Sequence, residues 1–188
     1  YSHSRTDSSS MPSESVGNCV ELNNHDLLFL SGNRLWMLNP YNHRQHAPPA
    51  FWINKNNATP WLMNKNLMAI WDYNKIYFTD MRLQILDSVN DPFGIKNIEV
   101  VYLGNDKVLF SDYHKTFVYS LKYKKTEEWK IPIDSFKLEK YYAIKQADTL
   151  NKIIYIVCYM DGIYKMSYDK DNPKYLTTSS SKRLNRQQ

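Results

Sequence analysis

Short apolar blocks separated by polar breaks run along most of this chain. A block of four or five aliphatic or aromatic residues ends at a turn containing Asn, a Lys or Arg follows, and a second apolar block begins. The pattern occurs four times: Leu27 to Leu30 with Arg34 to Leu38, Leu67 to Trp71 with Lys75 to Thr79, Val100 to Leu103 with Lys107 to Ser111, and Tyr141 to Ile144 with Lys152 to Val157. Asn33, Asn74, Asn105 and Asn151 mark the turns. Asn tolerates the positive φ of tight turns, so each occurrence predicts a β-hairpin. Ser135 to Gln146 is the one stretch that also admits a helix, its apolar residues matching neither period well.

Between the basic residues at 34, 75, 107 and 152 the intervals are 41, 32 and 45 residues. Asn39, Asp80 and Asp112 follow the basic residue at a common offset, and Asp161 takes that place in the fourth occurrence. A third strand is expected at Leu83 to Leu86, Thr116 to Leu121 and Ile163 to Tyr168, and outer strands at Phe51 to Ile53, Glu128 to Ile131 and Tyr175 to Thr177. Units of three or four short antiparallel strands recurring about every 40 residues, with no amphipathic helix between them, predict propeller blades.

The stretch Tyr77, Phe78, Thr79, Asp80 resembles the Tyr-Trp-Thr-Asp signature of one class of six-bladed β-propellers, and Leu109, Phe110, Ser111, Asp112 is a looser echo. The resemblance implies an architecture and no activity. The expected fold is all-β, with about four blades forming a small closed propeller or part of a larger one. An antiparallel β-sandwich is the alternative, because it too shows short strands with frequent turns. The pattern divides the chain into a flexible Ser-rich lead at 1–22, a single all-β repeat domain at 23–178 and a basic tail at 179–188. A chain opening on Tyr1 reads as a fragment or a processed form.

Composition sharpens this picture. Tyr is present 15 times and Gly only 5 times, a balance that favours strands. The longest apolar run, Ile153 to Met160, suits a buried strand and is far short of a membrane-spanning helix. Two cysteines, Cys19 and Cys158, are too few for a disulfide scaffold, which favours a reducing, intracellular setting. The net charge of +5 is spread along the chain, with Lys182, Arg183 and Arg186 read as a solvated end.

No constellation here demands a particular chemistry, so the expectation is no catalytic residue, no metal and no cofactor. Asp80, Asp112 and Asp161 share one place in the repeat, which points to hydrogen bonds with turn backbone and away from acid–base work. His43 and His46 have a spacing seen in some metal sites, but no Cys or carboxylate stands near and Pro48 and Pro49 make the stretch a loop. Cys158, between apolar neighbours, reads as core.

The surplus of aromatic residues suggests a contact surface, since Trp and Tyr beside Lys or Arg are hot-spot material for protein partners. The segment Tyr41 to Met63 is the expected contact loop, with Tyr41, His43, Arg44, His46, Trp52 and Trp61 as partner-binding residues. The opposing expectation is that Trp52 and Trp61 staple this loop to the body. The leading functional reading is a non-catalytic protein-interaction or scaffold module. A ligand-binding or hydrolytic propeller with a site in its central funnel, and a nucleic-acid-associated subunit, are the alternatives.

Overall fold

The computed structural model describes residues 16–93, 98–112, 115–129, 142–158 and 162–168. The expected strand at Tyr175 to Thr177, Asp161 and the basic tail lie outside the described residues. The chain divides into two compact units, Tyr1–Gly94 and Ile95–Gln188.

The first unit holds two four-stranded antiparallel sheets. One consists of β1 (Val16–Glu21), β2 (Leu27–Ser31), β3 (Arg34–Asn39) and β4 (Arg44–His46). After a short helix, α1 (Ala50–Ile53), the other consists of β5 (Thr59–Asn64), β6 (Leu67–Trp71), β7 (Lys75–Thr79) and β8 (Ile85–Asn90). The second unit holds a four-stranded sheet of β9 (Glu99–Gly104), β10 (Lys107–Ser111), β11 (Thr116–Ser120) and β12 (Lys125–Glu128). With it stands a three-stranded sheet of β13 (Tyr142–Asp148), β14 (Ile153–Cys158) and β15 (Gly162–Ser167).

In every described sheet the strands lie side by side in chain order. A Greek-key sandwich would bring strands distant in sequence into one sheet, whereas a meander of four strands is a propeller blade. The chain is therefore all-β and built of propeller-like blades. The inner strands are buried at nearly every position, as in β6, β7 and β10. Strands covered on both faces read as unbroken apolar runs, which is why these were visible in the sequence.

The structure corrects the register of the repeat. The first two predicted hairpins pair second with third strands (β2 with β3, β6 with β7), while the last two pair first with second strands (β9 with β10, β13 with β14). Aligned blade by blade, the second strands start at Leu27, Leu67 and Lys107, 40 residues apart each time. The interval of 32 came from a shift of one strand. Consequently Asp112 corresponds to Asp72 and not to Asp80. Both begin an Asp-Tyr-x-Lys sequence, at 72–75 and 112–115, and in both the Asp is bonded to the Lys three residues on. The Asp72 carboxylate accepts from the Lys75 N–H at 3.0 Å, and the Asp112 carboxylate from the Lys115 N–H at 2.5 Å.

Other expectations shift for local reasons. Phe51 to Ile53 is helix α1 and not an outer strand; its first turn is closed by the Trp52 N–H donating to the Pro49 carbonyl at 2.8 Å. The outer strand of the first blade is β4 instead. Leu83 takes φ 66° in the turn capped by Asp80, so β8 starts later than Leu83. The outer strand expected at Glu128 to Ile131 lies earlier, as β12. The described part of Ser135 to Gln146 is strand. β1 forms inside the expected lead; only Val20 along it is buried, so it carries little apolar signal. β5 contains Pro60, which an edge strand accommodates because no ladder partner is needed on its open side. Of the four Asn expected to mark turns, Asn33 and Asn105 are left-handed, while Tyr73 and Lys152 take that conformation in place of Asn74 and Asn151.

Each unit has its own core. In the first, Leu28, Met68, Ile70, Trp52 and Tyr77 belong to one buried cluster. In the second, Leu109, Ile144, Ile154, Ile156 and Met166 do.

Candidate binding site

The loop between β1 and β2 turns at His25 (φ 66°) and carries Asp26, which is 5% exposed. A carboxylate so placed needs donors, and three side chains supply them. Asn24 Nδ2 donates to Asp26 Oδ2 at 2.7 Å, Asn39 Nδ2 donates to Oδ1 at 2.9 Å, and His46 Nε2 lies 3.1 Å from Oδ2. Asp26 thereby ties together the β1–β2 loop, the end of β3 and the end of β4.

The β3–β4 hairpin is fixed by the same kind of chemistry. Asn39 Oδ1 accepts from the N–H groups of Tyr41 and Asn42 at 3.1 Å each, and Asn42 Oδ1 accepts from the Arg44 N–H at 3.0 Å. His43 takes φ 60°, completing the reversal. The hairpin presents Tyr41, 75% exposed, with exposed His43, Arg44 and His46. The Tyr41 ring stands edge-on to His25 at 6.1 Å, and His25 Nδ1 lies 2.8 Å from Glu21 Oε1. Four of the six predicted contact residues are thus brought together on one hairpin.

Trp52 is not among them. It is 1% exposed, its Nε1–H donates to the Leu83 carbonyl at 3.1 Å, and it packs edge-on against Phe51 and Tyr77. The stapling role is the one it performs, because a Trp on so short a helix can be covered completely by the neighbouring blade. Trp61 is half-buried on the edge strand β5, opposite Ala69. Its position is separate from the hairpin.

Beside the hairpin the first unit contains an open cleft of about 410 Å³. Its floor is apolar: Leu22, Met37, Met81 and Leu83, with Pro49. Asn23, Asn24 and Arg82 form its polar part. The β1–β2 loop is common to cleft and hairpin, since it carries Asn23 and Asn24 as well as Asp26. Sequence reasoning missed this cleft. Its floor residues look like ordinary strand and turn apolar positions, and only tertiary packing sets the β1–β2 loop beside the β7–β8 turn.

The carboxylates near these elements are engaged with backbone. Asp80 Oδ1 accepts from the N–H groups of Arg82 and Gln84 at 2.9 Å each. Asp72 closes its turn through Oδ1 and accepts from Lys55 Nζ through Oδ2 at 2.6 Å. Lys55 also donates to the Tyr77 hydroxyl at 2.9 Å and stands 5.0 Å from the ring centroids of Phe51 and Tyr77. The hydrogen bond to Asp72, followed by that to Tyr77, raises the Lys55 ammonium above its ordinary value of 10.5. Cys19 stands on β1 with its residue surface exposed, and the loss of water around its sulfur raises the thiol above its ordinary value. Among the described residues no three His, Cys, Asp or Glu side chains gather as a metal site would require.

No family model and no curated protein sequence matches this chain. Solved structures do. An auxiliary nutrient binding protein from Bacteroides ovatus superposes with a TM-score of 0.57 at 15% identity, over 87% of this chain and 42% of its own. One from Bacteroides thetaiotaomicron gives 0.57 at 14% identity, over 86% and 41%. The N-terminal domain of Nup159 gives 0.51 at 10% identity, over 94% of this chain and 46% of that domain. This chain spans between 19% and 48% of the length of the first matched structures. Identities this low speak for the fold alone, and the Nup159 domain is a propeller, so the chain is similar in fold to β-propeller domains.

Proposed function

We propose that this chain is a non-catalytic protein-interaction module of β-propeller type. Its contact surface is the loop side of the first blade, with Tyr41, His43, Arg44 and His46, continued into the adjoining cleft. The observation that carries the reading is the pairing of a braced hairpin, exposing an aromatic ring and a guanidinium, with an apolar concavity next to it. Exposed Tyr and Arg beside an apolar pocket are the chemistry of interface hot spots. Bracing by Asp26 lowers the conformational entropy lost when a partner docks. The nearby carboxylates are engaged in turns and ion pairs, which supports a binding role over acid–base catalysis.

The test is affinity capture with the chain, run beside a Tyr41→Ala, Arg44→Ala double variant. Both residues are exposed, so the variant keeps its fold, checked by circular dichroism. A stoichiometric partner retained by the wild type and lost by the variant supports the reading; a partner retained equally by both removes this face from it. A second reading, binding of a small ligand, draws support from the cleft's size, which falls in the roughly 300–1,000 Å³ range of small-molecule sites. Its support also includes the fold shared with two proteins named for nutrient binding. It predicts a thermal shift with a small molecule and no dependence on Tyr41.

A further inference from the structure

We infer that β8 is a docking edge: an extended segment of a partner protein adds to it as a fifth strand of the second blade, with apolar residues opposite Leu86 and Val89 and a basic residue opposite Asp87. This goes beyond the interaction reading above and concerns a surface separate from its hairpin. The edge of a sheet offers a row of backbone N–H and C=O groups, and the occupant that satisfies such a row is another strand.

Natural sheets blunt their edges with short or charged strands. Of the outer strands described, β4 has three residues, including Arg44 and His46, and β12 has four, of which Lys125, Glu127 and Glu128 are charged. β8 has six residues, with Asp87 as its only charge. Its residues Ile85 and Leu86 are 42% and 60% exposed. Successive side chains of a strand point to opposite faces, so neither face of the edge is covered there. Among the described residues no strand lies beyond β8.

A bulge opposite Thr79 is followed by a regular register from Asp87 to Asn90. The direction of the backbone groups along this stretch follows from its end. The Asp91 N–H donates to the Asn74 carbonyl at 2.8 Å, and the Lys75 carbonyl, opposite Asn90, accepts from the Asp72 N–H at 3.0 Å. Asp91 therefore turns its backbone inward, and in an antiparallel ladder the inward and outward residues alternate. Val89 and Asp87 bond to β7, while Ser88 and Asn90 aim their N–H and C=O groups at the open side.

β8 is poorly complementary to a second copy of itself. With Ser88 opposite Leu86 of an antiparallel copy, Asp87 meets Asp87; with Ser88 opposite Asn90, Asp87 meets Asp91. With Ser88 opposite Ser88, Leu86 meets Asn90 and Val89 meets Asp87. Each register opposes like charges or sets apolar against polar side chains, both unfavourable across a strand pair. A different segment avoids both penalties when it carries a cation at the position facing Asp87, whose neighbour on the β7 side is Phe78.

The probe is the fluorescein-labelled peptide Thr-Val-Thr-Lys-Leu-Thr, whose second to fifth residues stand opposite Val89, Ser88, Asp87 and Leu86 when it adds antiparallel. Fluorescence polarisation should show saturable binding to the wild type, unchanged by Ser88→Ala. Ser88→Pro removes an outward N–H and no ladder donor, a change that an edge strand tolerates, and should weaken binding about tenfold. Its fold is checked by circular dichroism and thermal melting. N-methylation of the peptide's third residue removes the donor aimed at the Ser88 carbonyl and should cost the wild type a similar factor, which keeps the test valid if proline disturbs the blade. Exchanging the peptide's Lys for Glu should weaken binding about threefold.

Absence of binding, binding indifferent to N-methylation, or equal binding of the Lys and Glu peptides overturns the inference. A wild-type chain that dimerises in sedimentation beside a Ser88→Pro variant that stays monomeric also overturns it and assigns the edge to a second copy.

Discussion

Replacing Trp52 by Ala tests the central structural claim about the segment between the first two blades. Trp52 is 1% exposed, donates to the Leu83 carbonyl at 3.1 Å, and contacts the rings of Phe51 and Tyr77 at 4.9 and 5.4 Å between centroids. Truncating a fully buried Trp costs about 3–5 kcal/mol. The Leu83 carbonyl left without its donor adds about 1 kcal/mol. A total near ~5 kcal/mol approaches the whole stability of a small domain, roughly 5–15 kcal/mol. Urea denaturation followed by far-UV circular dichroism reads the change without relying on the fluorescence of the residue removed. Trp52→Phe retains an aromatic ring and loses the hydrogen bond, so about 1–2 kcal/mol is expected of it. A cost below about 1 kcal/mol for Trp52→Ala would refute the packing of α1 and return Trp52 to the surface. The same reasoning disqualifies Trp52→Ala as a binding-site variant, because loss of partner binding would report unfolding.

Asp26→Ala removes the acceptor shared by Asn24, Asn39 and His46, and about 2–3 kcal/mol of stability should go with it. Hydrogen exchange at the Tyr41 and Asn42 amides should accelerate; unchanged protection would show that the hairpin is braced by other means. Lys55→Met loses the contacts to Asp72 and Tyr77, worth about 1 kcal/mol near neutral pH for a partly exposed pair. Because the folded state raises the Lys55 pKa above 10.5, this contribution is fully present below that value and fades as pH rises through the higher folded one. Stability of wild type and variant, measured by denaturation from pH 7 to 11.5, should therefore converge at the alkaline end. A constant difference would contradict the ion pair.

What the chain alone determined was local. Apolar blocks such as Leu67 to Trp71 and Lys107 to Ser111, each bounded by polar turns, specify strands. Turn residues specify hairpins, because positive φ or an Asp cap is a property of three or four neighbouring residues. From these the blade architecture was legible, and the cluster of Tyr41, His43, Arg44 and His46 could be named because one hairpin carries all four. The blade register needed the structure. A hairpin motif looks the same whether it joins first to second or second to third strands, and only pairing shows that Asp112 matches Asp72. Strands with little apolar signal, β1 above all, form because a neighbouring strand offers hydrogen bonds. Tertiary packing also decided the fate of Trp52 and made the cleft. Whether a Trp faces solvent or core depends on which segment covers it, and Leu22, Met37, Met81 and Leu83 meet only because separate blades stack. Such contacts join residues dozens of positions apart, a distance at which sequence periodicity carries no information.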